Sequence, residues 1–419
     1  MNNLDQLTKF IVTGTKGKTT ICNLINHFLV STGKTSLLVD SLGSFLNNKQ
    51  QTTFEDSIKN IGKSPNVMPG RYIYWELVSG QLTGNDYAVL EASLACFNWG
   101  TGIDAHDIGI FTNVFRDHLD FKILKDEMDI YHKKSFVYTK LKPGGKFIAS
   151  LDNEYSLKSF SEPELLEKKA TLIGVSSKCN LSELEKIKEE VKLNDILFIK
   201  EDRIWSLNEG ELFDLKYYPY YLDGRMETMS INLLFAFAAT QTLLSRDEMA
   251  RAASNYMLPE TYGRLLFYQK GDQHIMIDYA HEPFSLHKLA DFAQDYFKEK
   301  PLIVTRIAPD RNDEAISDFA KSFARIESIS ELIIYDKIDG TGKKTYEGRK
   351  IRREAGESSQ KLFDQLEKLP KKFKVTRIVN EEEALQAALA SGNKVVLHIF
   401  SDLSLVLKLI KSKGYERKL

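Results

Sequence analysis

The sequence predicts an α/β protein of two domains, each built on a mostly parallel sheet. A short apolar strand, Lys9 to Thr13, is followed by a glycine-rich loop and by the apolar spacing of a helix from Ile21 to Val30. Apolar strands and helices alternate again over 302–412, as in doubly wound folds. The 419 residues, 42% of them hydrophobic, are enough to form two cores. We place the boundary between residues 262 and 263, where a helical pattern gives way to a new strand.

The glycine-rich loop has the residue order of a phosphate-binding loop. The run Gly14-Thr15-Lys16-Gly17-Lys18-Thr19-Thr20 joins the strand directly to the helix. Its backbone amides can therefore meet an anion at the positive end of the helix dipole. We expect Lys18 to reach terminal phosphates and the Thr19 hydroxyl to bind Mg²⁺. Val12 stands where the common pattern has its first glycine, and a glycine-rich turn without a ligand is the alternative interpretation.

Polar residues follow two later strands. The strand Asp86 to Leu90 ends on Glu91, and a strand-end carboxylate beside a phosphate loop offers the oxygen ligand that Mg²⁺ prefers. A solvent-exposed glutamate is the alternative. The strand Asp107 to Thr112 is followed by Asn-Val-Phe-Arg-Asp-His-Leu-Asp over 113–120. Such a cluster of polar and ionisable groups at one strand end predicts a functional site.

Composition excludes several classes of partner. The formal net charge is −1, so no overall basic field attracts nucleic acid or an acidic membrane. The three cysteines, at 22, 96 and 179, lack paired or metal-binding spacing, which favours a reduced, cytoplasmic setting. We find neither a leader pattern nor the ~20 apolar residues that a membrane span needs.

The motifs resemble those of the Mur ligase superfamily of ATP-dependent amide ligases. The loop T-G-T-K-G-K-T-T and the run T-N-x-x-x-D-H-L-D from Thr112 are similar to its motifs. The resemblance implies a P-loop-type central ATPase domain with a mostly parallel sheet over 1–262 and a C-terminal Rossmann-like α/β domain over 263–419.

Several site residues are implied by this resemblance. Glu91 and His118 are expected to bind catalytic magnesium, and Asn113 to belong to the nucleotide site. Lys134 matches the lysine that CO₂ carbamylates and that then binds a second metal ion. A carbamate on the adjacent Lys133 and an unmodified, solvated lysine are the alternatives.

The resemblance also implies contacts farther along the chain. Asn232 matches the asparagine of an N-x-x-A-A pattern near the nucleotide base, although it could instead cap its helix. Arg264 is expected to reach the ATP phosphates and Asp278, in Asp-Tyr-Ala-His-Glu-Pro, the ribose hydroxyls. His281, from the same run, would line the cleft.

One stretch departs from the family pattern. Ala-Pro-Asp-Arg-Asn over 308–312 stands where the family has a G-G-D-R-D-like sequence, leaving Asp310 and Arg311 to orient an acceptor amino acid. The short stretches 346–357 and 395–402 look most like the Mur-ligase half of cyanophycin synthetase. Only ten residues precede Ile11, so we expect no UDP-substrate domain, and either a different acid or a partner protein that supplies the substrate.

The implied activity is ATP-dependent amide bond formation. A small-molecule or peptide acid would be activated as an acyl phosphate and joined to an amino acid, with one or two Mg²⁺ ions as cofactors and with release of ADP and phosphate. A regulatory or partner-dependent nucleotide-binding protein without independent ligase activity is the alternative, and a plain ATPase or kinase is a third hypothesis. The sequence leaves open whether the chain forms a homo-oligomer.

Overall fold

The computed structural model describes residues 7–53, 86–94, 96, 103–115, 126–178, 180–280, 283–307, 313–336, 344–346, 349–351 and 356–419. The chain divides into two compact units, Met1–Tyr256 and Met257–Leu419, called the first and second units below. The predicted α/β fold class is confirmed, because each unit contains a large, mainly parallel sheet. The sequence-based boundary between residues 262 and 263 stays a prediction.

The described part of the first unit forms one sheet of eleven strands, in the order β11-β10-β9-β8-β7-β6-β1-β5-β2-β3-β4. Neighbours from β9 to β2 in this order are parallel, and the pairs at either end are antiparallel. The strands are β1 (Thr8–Thr13), β2 (Ser36–Asp40), β3 (Gly43–Leu46), β4 (Lys49–Thr53), β5 (Tyr87–Glu91), β6 (His106–Phe111), β7 (Leu141–Ser150), β8 (Thr171–Ser176), β9 (Asp195–Lys200), β10 (Arg203–Ser206) and β11 (Gly210–Asp214).

Helices connect and cover these strands. They are α1 (Lys18–Ser31), α2 (Glu127–Lys134), α3 (Phe136–Thr139), α4 (Glu154–Lys158), α5 (Pro163–Glu167), α6 (Leu181–Val191), α7 (Glu227–Thr240) and α8 (Arg246–Ser254). Helix α7 is apolar on nearly all sides, which is typical of a helix enclosed by protein. It packs on α1, where the rings of Phe28 and Phe237 meet edge to face at 5.5 Å. This contact anchors the helix that follows the glycine-rich loop.

The two ends of this sheet are built differently from its centre. Strands β3 and β4 make a hairpin across Asn47 and Asn48, whose φ values of 48° and 65° suit its tight turn. At the other end, β8 and β9 extend the parallel part of the sheet because α6 provides their crossover. Strands β10 and β11 then close that end as antiparallel pairs.

The second unit contains a doubly wound sheet in the order β18-β15-β14-β19-β13-β12-β20. The strands from β18 to β13 are parallel, and β12 and β20 add antiparallel pairs. The strands are β12 (Leu266–Lys270), β13 (Gln273–Asp278), β14 (Leu302–Ile307), β15 (Glu331–Asp336), β16 (Lys344–Tyr346), β17 (Arg349–Ile351), β18 (Lys374–Arg377), β19 (Val395–Ile399) and β20 (Glu416–Arg417). Strands β16 and β17 pair only with each other among the described residues.

Five helices cross over this second sheet. They are α9 (Pro283–Phe297), α10 (Asp313–Ala324), α11 (Glu357–Glu367), α12 (Glu381–Ala390) and α13 (Leu403–Ser412). The chain moves outward from β14 to β15 and β18, then returns to β19 on the other side of β14. This reversal places the topological switch point of the sheet at the carboxyl ends of β14 and β19, the usual ligand position in such folds. Across the described part of the chain, every helix is too short or too polar to cross a membrane.

The buried His106 should make the first unit sensitive to acid. Its Nε2 is 2.8 Å from the Val137 carbonyl oxygen, and burial lowers the pKa of its imidazole from 6.5 to about 4. Between these two pKa values the unfolded chain binds a proton that the folded chain does not, so stability is lost as the pH falls from 6.5 towards 4. We expect the free energy of unfolding to fall by about 2 kcal/mol between pH 7.5 and pH 5 through this group.

Urea unfolding of the wild-type chain and of His106→Gln at both pH values measures this effect. Glutamine retains an amide donor near Val137 but does not titrate in this range. The variant should therefore lose less stability on acidification than the wild-type chain. An equal loss in both chains would assign the acid sensitivity to other groups.

Candidate functional site

The glycine-rich loop occupies the short gap between β1 and α1. Helix α1 begins at Lys18, three residues before the predicted start, so the helix opens directly on the loop. Gly14 and Gly17 have φ values of 145° and 88°, which side chains other than glycine rarely adopt. A Cβ atom at Gly17 would lie 2.6 Å from Oδ1 of Asn232, and one at Gly14 would collide with the Thr112 hydroxyl. The loop therefore requires glycine at both positions.

The residues that follow β6 hold the loop in place. The Thr15 amide donates to the Asn113 carbonyl at 2.9 Å, and the Lys16 amide donates to Asn113 Oδ1 at 2.9 Å. The Thr112 hydroxyl donates to the Lys16 carbonyl at 2.8 Å. Asn113 thus orients the loop in this structure, and its direct contact with a nucleotide stays a prediction.

Thr19 and Glu91 come together at one side of the loop. The Thr19 hydroxyl donates to Glu91 Oε2 at 2.9 Å, and the Ser41 amide donates to the same oxygen at 3.3 Å. Glu91 is 8% exposed, so the alternative of a solvent-exposed glutamate is wrong. A hydroxyl and a carboxylate in contact are the oxygen donors that suit Mg²⁺, and in this respect the side chains fit the predicted ion.

Lys134 approaches the loop from the end of α2. Its side chain is buried, with the residue 2% exposed, and Nζ donates to the Gly14 carbonyl at 2.8 Å. The alternative of a solvated helix lysine is therefore wrong. Lys133 is only half-buried. The structure thus brings the predicted lysine to the phosphate loop, while carbamylation of either lysine stays a prediction.

Two further predicted residues lie against the loop. Lys18 Nζ donates to the Thr15 carbonyl at 3.1 Å, which places its positive charge over the loop. Asn232 faces Gly17 from the middle of α7. Because α7 begins at Glu227 and its N-cap is Met226, the alternative role of Asn232 as a helix cap is wrong. Its contact with a nucleotide base stays a prediction.

Two cysteines of the first unit, Cys22 and Cys96, are buried. Burial and the negative charges of Glu91 and Asp40 raise the pKa of the Cys22 thiol. Burial also raises the pKa of Cys96 to about 12. Both thiols are free and protonated at neutral pH, which removes them as nucleophiles. Asp40, fully buried at the end of β2, was not singled out by the sequence analysis, although it follows an apolar strand as Glu91 does.

In the second unit, the structure brings Arg264 and Asp278 together. Arg264 Nη1 lies 3.7 Å from Asp278 Oδ1. The same carboxylate accepts hydrogen bonds from the Leu265 amide at 3.0 Å and the Ala280 amide at 2.8 Å. The guanidinium carbon of Arg264 also lies 5.1 Å from the centre of the Tyr279 ring. Asp278 thereby fixes the backbone directly after the arginine and directly after the tyrosine.

Glu381, at the start of α12, fixes the end of β19. Its carboxylate accepts from the Ser401 amide at 2.7 Å and the Asp402 amide at 2.9 Å, and it lies 3.1 Å from His398 Nε2. Burial raises the pKa of Glu381, but the bonds from His398 and the two amides outweigh burial and hold the pKa below its usual range. The buried carboxylate therefore anchors the residues that follow β19, at the switch point of the second sheet.

Four predicted site residues fall outside the described residues: His118, His281, Asp310 and Arg311. Their predicted roles are thus untested. Within the described ranges, no group of three or more His, Cys, Asp and Glu side chains is arranged to hold a metal ion. The predicted ligand set includes Thr19, Lys134 and the undescribed His118, so this finding does not bear on it.

Comparisons with known proteins identify the class of protein. Residues 12–211 match the family described as the Mur ligase middle domain, and residues 263–399 match the Mur ligase glutamate ligase domain. The first match contains the phosphate loop, Glu91 and Lys134, and the second contains Arg264 and Asp278. The chain belongs to the Mur ligase superfamily.

Sequence relatives include synthetases and ligases. A cyanophycin synthetase of Nostoc sp. is 23% identical over 423 residues, an alignment that covers 96% of this chain and 42% of the synthetase. A UDP-N-acetylmuramoyl-L-alanyl-D-glutamate–2,6-diaminopimelate ligase of Clostridium perfringens is 24% identical and covers 74% of this chain and 59% of the ligase. The chain thus spans less than half the length of the cyanophycin synthetase that it matches.

Solved structures share the fold over nearly the whole chain. A folylpolyglutamate synthase from Thermotoga maritima superposes with a TM-score of 0.65 at 15% identity, covering 98% of this chain and 90% of that one. A bifunctional folylpolyglutamate synthase/dihydrofolate synthase from Yersinia pestis, solved with AMPPNP and a Mn ion, has a TM-score of 0.65 at 14% identity and covers 98% and 91%. At these identities the likeness shows the fold alone.

Proposed function

We propose that this protein is an ATP-dependent ligase that joins a substrate carboxylate to an amino acid amine. The observation that carries the proposal is the meeting of Lys18, the Thr19–Glu91 pair and Lys134 at one phosphate loop. These groups come from three separate segments of the first unit. Membership of the Mur ligase superfamily supports the choice of amide bond formation among the reactions that use ATP.

The proposed reaction has two steps. An oxygen of the substrate carboxylate attacks the γ-phosphorus of ATP, and ADP leaves, which gives an acyl phosphate. The amine nitrogen then attacks the acyl carbon and loses a proton, while inorganic phosphate leaves. Activation is needed because a free carboxylate is a poor electrophile for an amine.

The loop side chains would act mainly on charge. Negative charge spreads over the γ-phosphoryl oxygens in the transition state of phosphoryl transfer. The amides of the loop and of the start of α1 would stabilise that charge without reorganising, because Asn113 already fixes the loop backbone. The ammonium of Lys18 would turn from the Thr15 carbonyl to the phosphate.

Metal binding completes the proposed first-unit site. We propose that Thr19 and Glu91 hold Mg²⁺, with His118 and a carbamylated Lys134 as the other protein ligands for one or two ions. A bound Mg²⁺ would neutralise phosphate charge. The likeness to a synthase solved with AMPPNP and a Mn ion supports a nucleotide and a divalent cation as cofactors.

The second unit would supply substrate contacts. We propose that Arg264 binds a phosphate and Asp278 a ribose hydroxyl of the nucleotide. Asn232, which belongs to the first unit, is proposed to contact the base. His281, Asp310 and Arg311 are proposed to contact the acid or the amino acid. The acid is proposed to be a small molecule or a peptide, bound directly or delivered by a partner protein.

Phosphate release from Mg-ATP, measured against a matrix of acids and amino acids that includes aspartyl and glutamyl peptides, tests this function. We expect release only when an acid and an amine are both present, and a product lighter than their sum by one water in the mass spectrum. Phosphate release without an added amine would indicate an ATPase, and a phosphorylated product formed with ADP but without phosphate release would indicate a kinase. ATP binding without turnover for any pair would favour the regulatory or partner-dependent alternative.

A further inference from the structure

An arginine lies at the topological switch point of the second unit. Strands β13, β19 and β14 are parallel neighbours, with Asp278 opposite Ile399 and Val304 opposite His398. Arg306 follows Val304 by two residues, so it lies at the carboxyl edge of the sheet, level with the end of β19. The chain reverses direction between β14 and β19, where doubly wound folds bind their ligands.

Two arginines share one aromatic ring at this edge. The guanidinium carbon of Arg306 lies 4.6 Å from the centre of the Tyr279 ring, and that of Arg264 lies 5.1 Å from it. The ring of Phe400 packs against Tyr279 with centroids 5.1 Å apart. The aromatic ring therefore holds two positive charges close together by cation–π attraction.

Among the described residues, Arg306 forms no ion pair with a carboxylate. The residue is 6% exposed, and its Nε has no hydrogen-bond partner among them. The nearby carboxylate of Asp278 accepts two backbone amides and pairs with Arg264 rather than with Arg306. A guanidinium stays charged in proteins, and burying it without an anion is unfavourable.

We propose that Arg306 binds an oxyanion of the ligase's substrates, either a carboxylate of the amino acid or acid, or a phosphate of the nucleotide. Because Tyr279 contacts the guanidinium group, the plane of that group is restrained, and its buried Nε–H has no partner among the described residues. A ligand oxygen that reaches Nε–H would lie beside a second oxygen facing the neighbouring Nη–H. Two parallel N–H donors match the two oxygens of a carboxylate or phosphate. This inference rests on the proposed function for the identity of the substrates, but binding can be measured without turnover.

Calorimetric titration of the full chain tests the proposal with three probes: Mg-ADP, inorganic phosphate, and single L-amino acids or aspartyl peptides added with Mg-AMPPNP. Arg306→Met removes the charge but keeps much of the side-chain length, and Arg306→Lys keeps the charge without the paired donors. Arg325→Met is the matched control, since Arg325 is exposed. We expect Arg306→Met to weaken one class of probe by about tenfold or more, with partial recovery in Arg306→Lys and no change in Arg325→Met.

The class of probe whose binding is lost in Arg306→Met identifies the source of the anion. Loss of amino acid or peptide binding assigns a carboxylate, and loss of Mg-ADP or phosphate binding assigns a phosphate. The melting temperature of the ligand-free Arg306→Met chain should stay the same or rise, because an unpaired buried charge has been removed. A lower melting temperature with unchanged binding would show that Arg306 has only a structural role.

Two results would overturn the inference: Arg306→Met binding every probe as the wild-type chain does, or a wild-type chain that binds none of them. The outcome of the ligase assay is independent of these binding results. Arg306-dependent binding without turnover would refute the proposed function and leave this site intact. Turnover with unaltered binding in Arg306→Met would refute this site alone.

Discussion

Replacing Lys18 by alanine should reduce ATP turnover by about a hundredfold to a thousandfold while the first unit stays folded. Lys18 is the first residue of α1, and the contact of its Nζ with the Thr15 carbonyl is a short-range one. The proposed role of Lys18 is to stabilise negative charge on the transferred phosphoryl group. Alanine suits a helix and leaves the loop backbone unchanged, so the free energy of unfolding should change by less than about 1 kcal/mol.

Steady-state phosphate release and circular dichroism, measured on the same preparations, separate the two effects. Lys49→Ala is the matched control, because Lys49 is an exposed lysine on the edge strand β4 of the same sheet. It should retain wild-type turnover. Unchanged turnover in Lys18→Ala would remove the proposed role of the loop.

Replacing Lys134 by alanine should lower ligase activity by about a hundredfold, with partial recovery when formate or acetate is added. The side chain is buried, and its Nζ touches the Gly14 carbonyl, so a carbamate formed there would carry a negative charge beside the loop. Small carboxylates can occupy the space that the side chain leaves and replace the oxygen ligands of a carbamate. The measurement is ligase rate against carboxylate concentration.

Lys133→Ala is the matched control for this experiment. If Lys134 bears the carbamate, Lys133→Ala should be active, and its ligase rate should not change when carboxylate is added. The opposite pattern would place the modification on Lys133. A fully active Lys134→Ala would defeat the carbamate proposal, and a loss of activity that no carboxylate restores would assign Lys134 to holding the Gly14 carbonyl.

Local patterns in the sequence were sufficient to predict most of the helices and strands. The strand, loop and helix around Gly14 follow from apolar spacing and glycine placement over about 20 residues. The Asn47-Asn48 turn shows where local reasoning needs turn chemistry, since two asparagines adopt the positive φ values of a tight hairpin. The direction of β8 and β9 depends instead on α6 forming a crossover, which the pattern of short β segments alone did not reveal.

The candidate site was harder to derive because its contacts join distant segments. Glu91 could be placed near Thr19 by the rule that parallel strands end at one edge, and the structure brings the two into contact. No local pattern indicates that Lys134 reaches Gly14. Arg306 was missed for a different reason. A single arginine within the apolar strand β14 gives no local signal of a site, and only the structure shows its contact with the ring of Tyr279.

The hydrogen bonds that shape the glycine-rich loop also constrain the order of folding. Lys16 and Asn113 are 97 residues apart in the chain, and Gly14 and Lys134 are 120 apart. Closing such long segments of chain is slow and entropically unfavourable, so a growing polypeptide cannot complete the loop until residues beyond 134 have emerged and β6 has joined β1. Nucleotide capture would then be among the last properties that the first unit acquires, and the onset of binding during refolding would report that the centre of its sheet is complete.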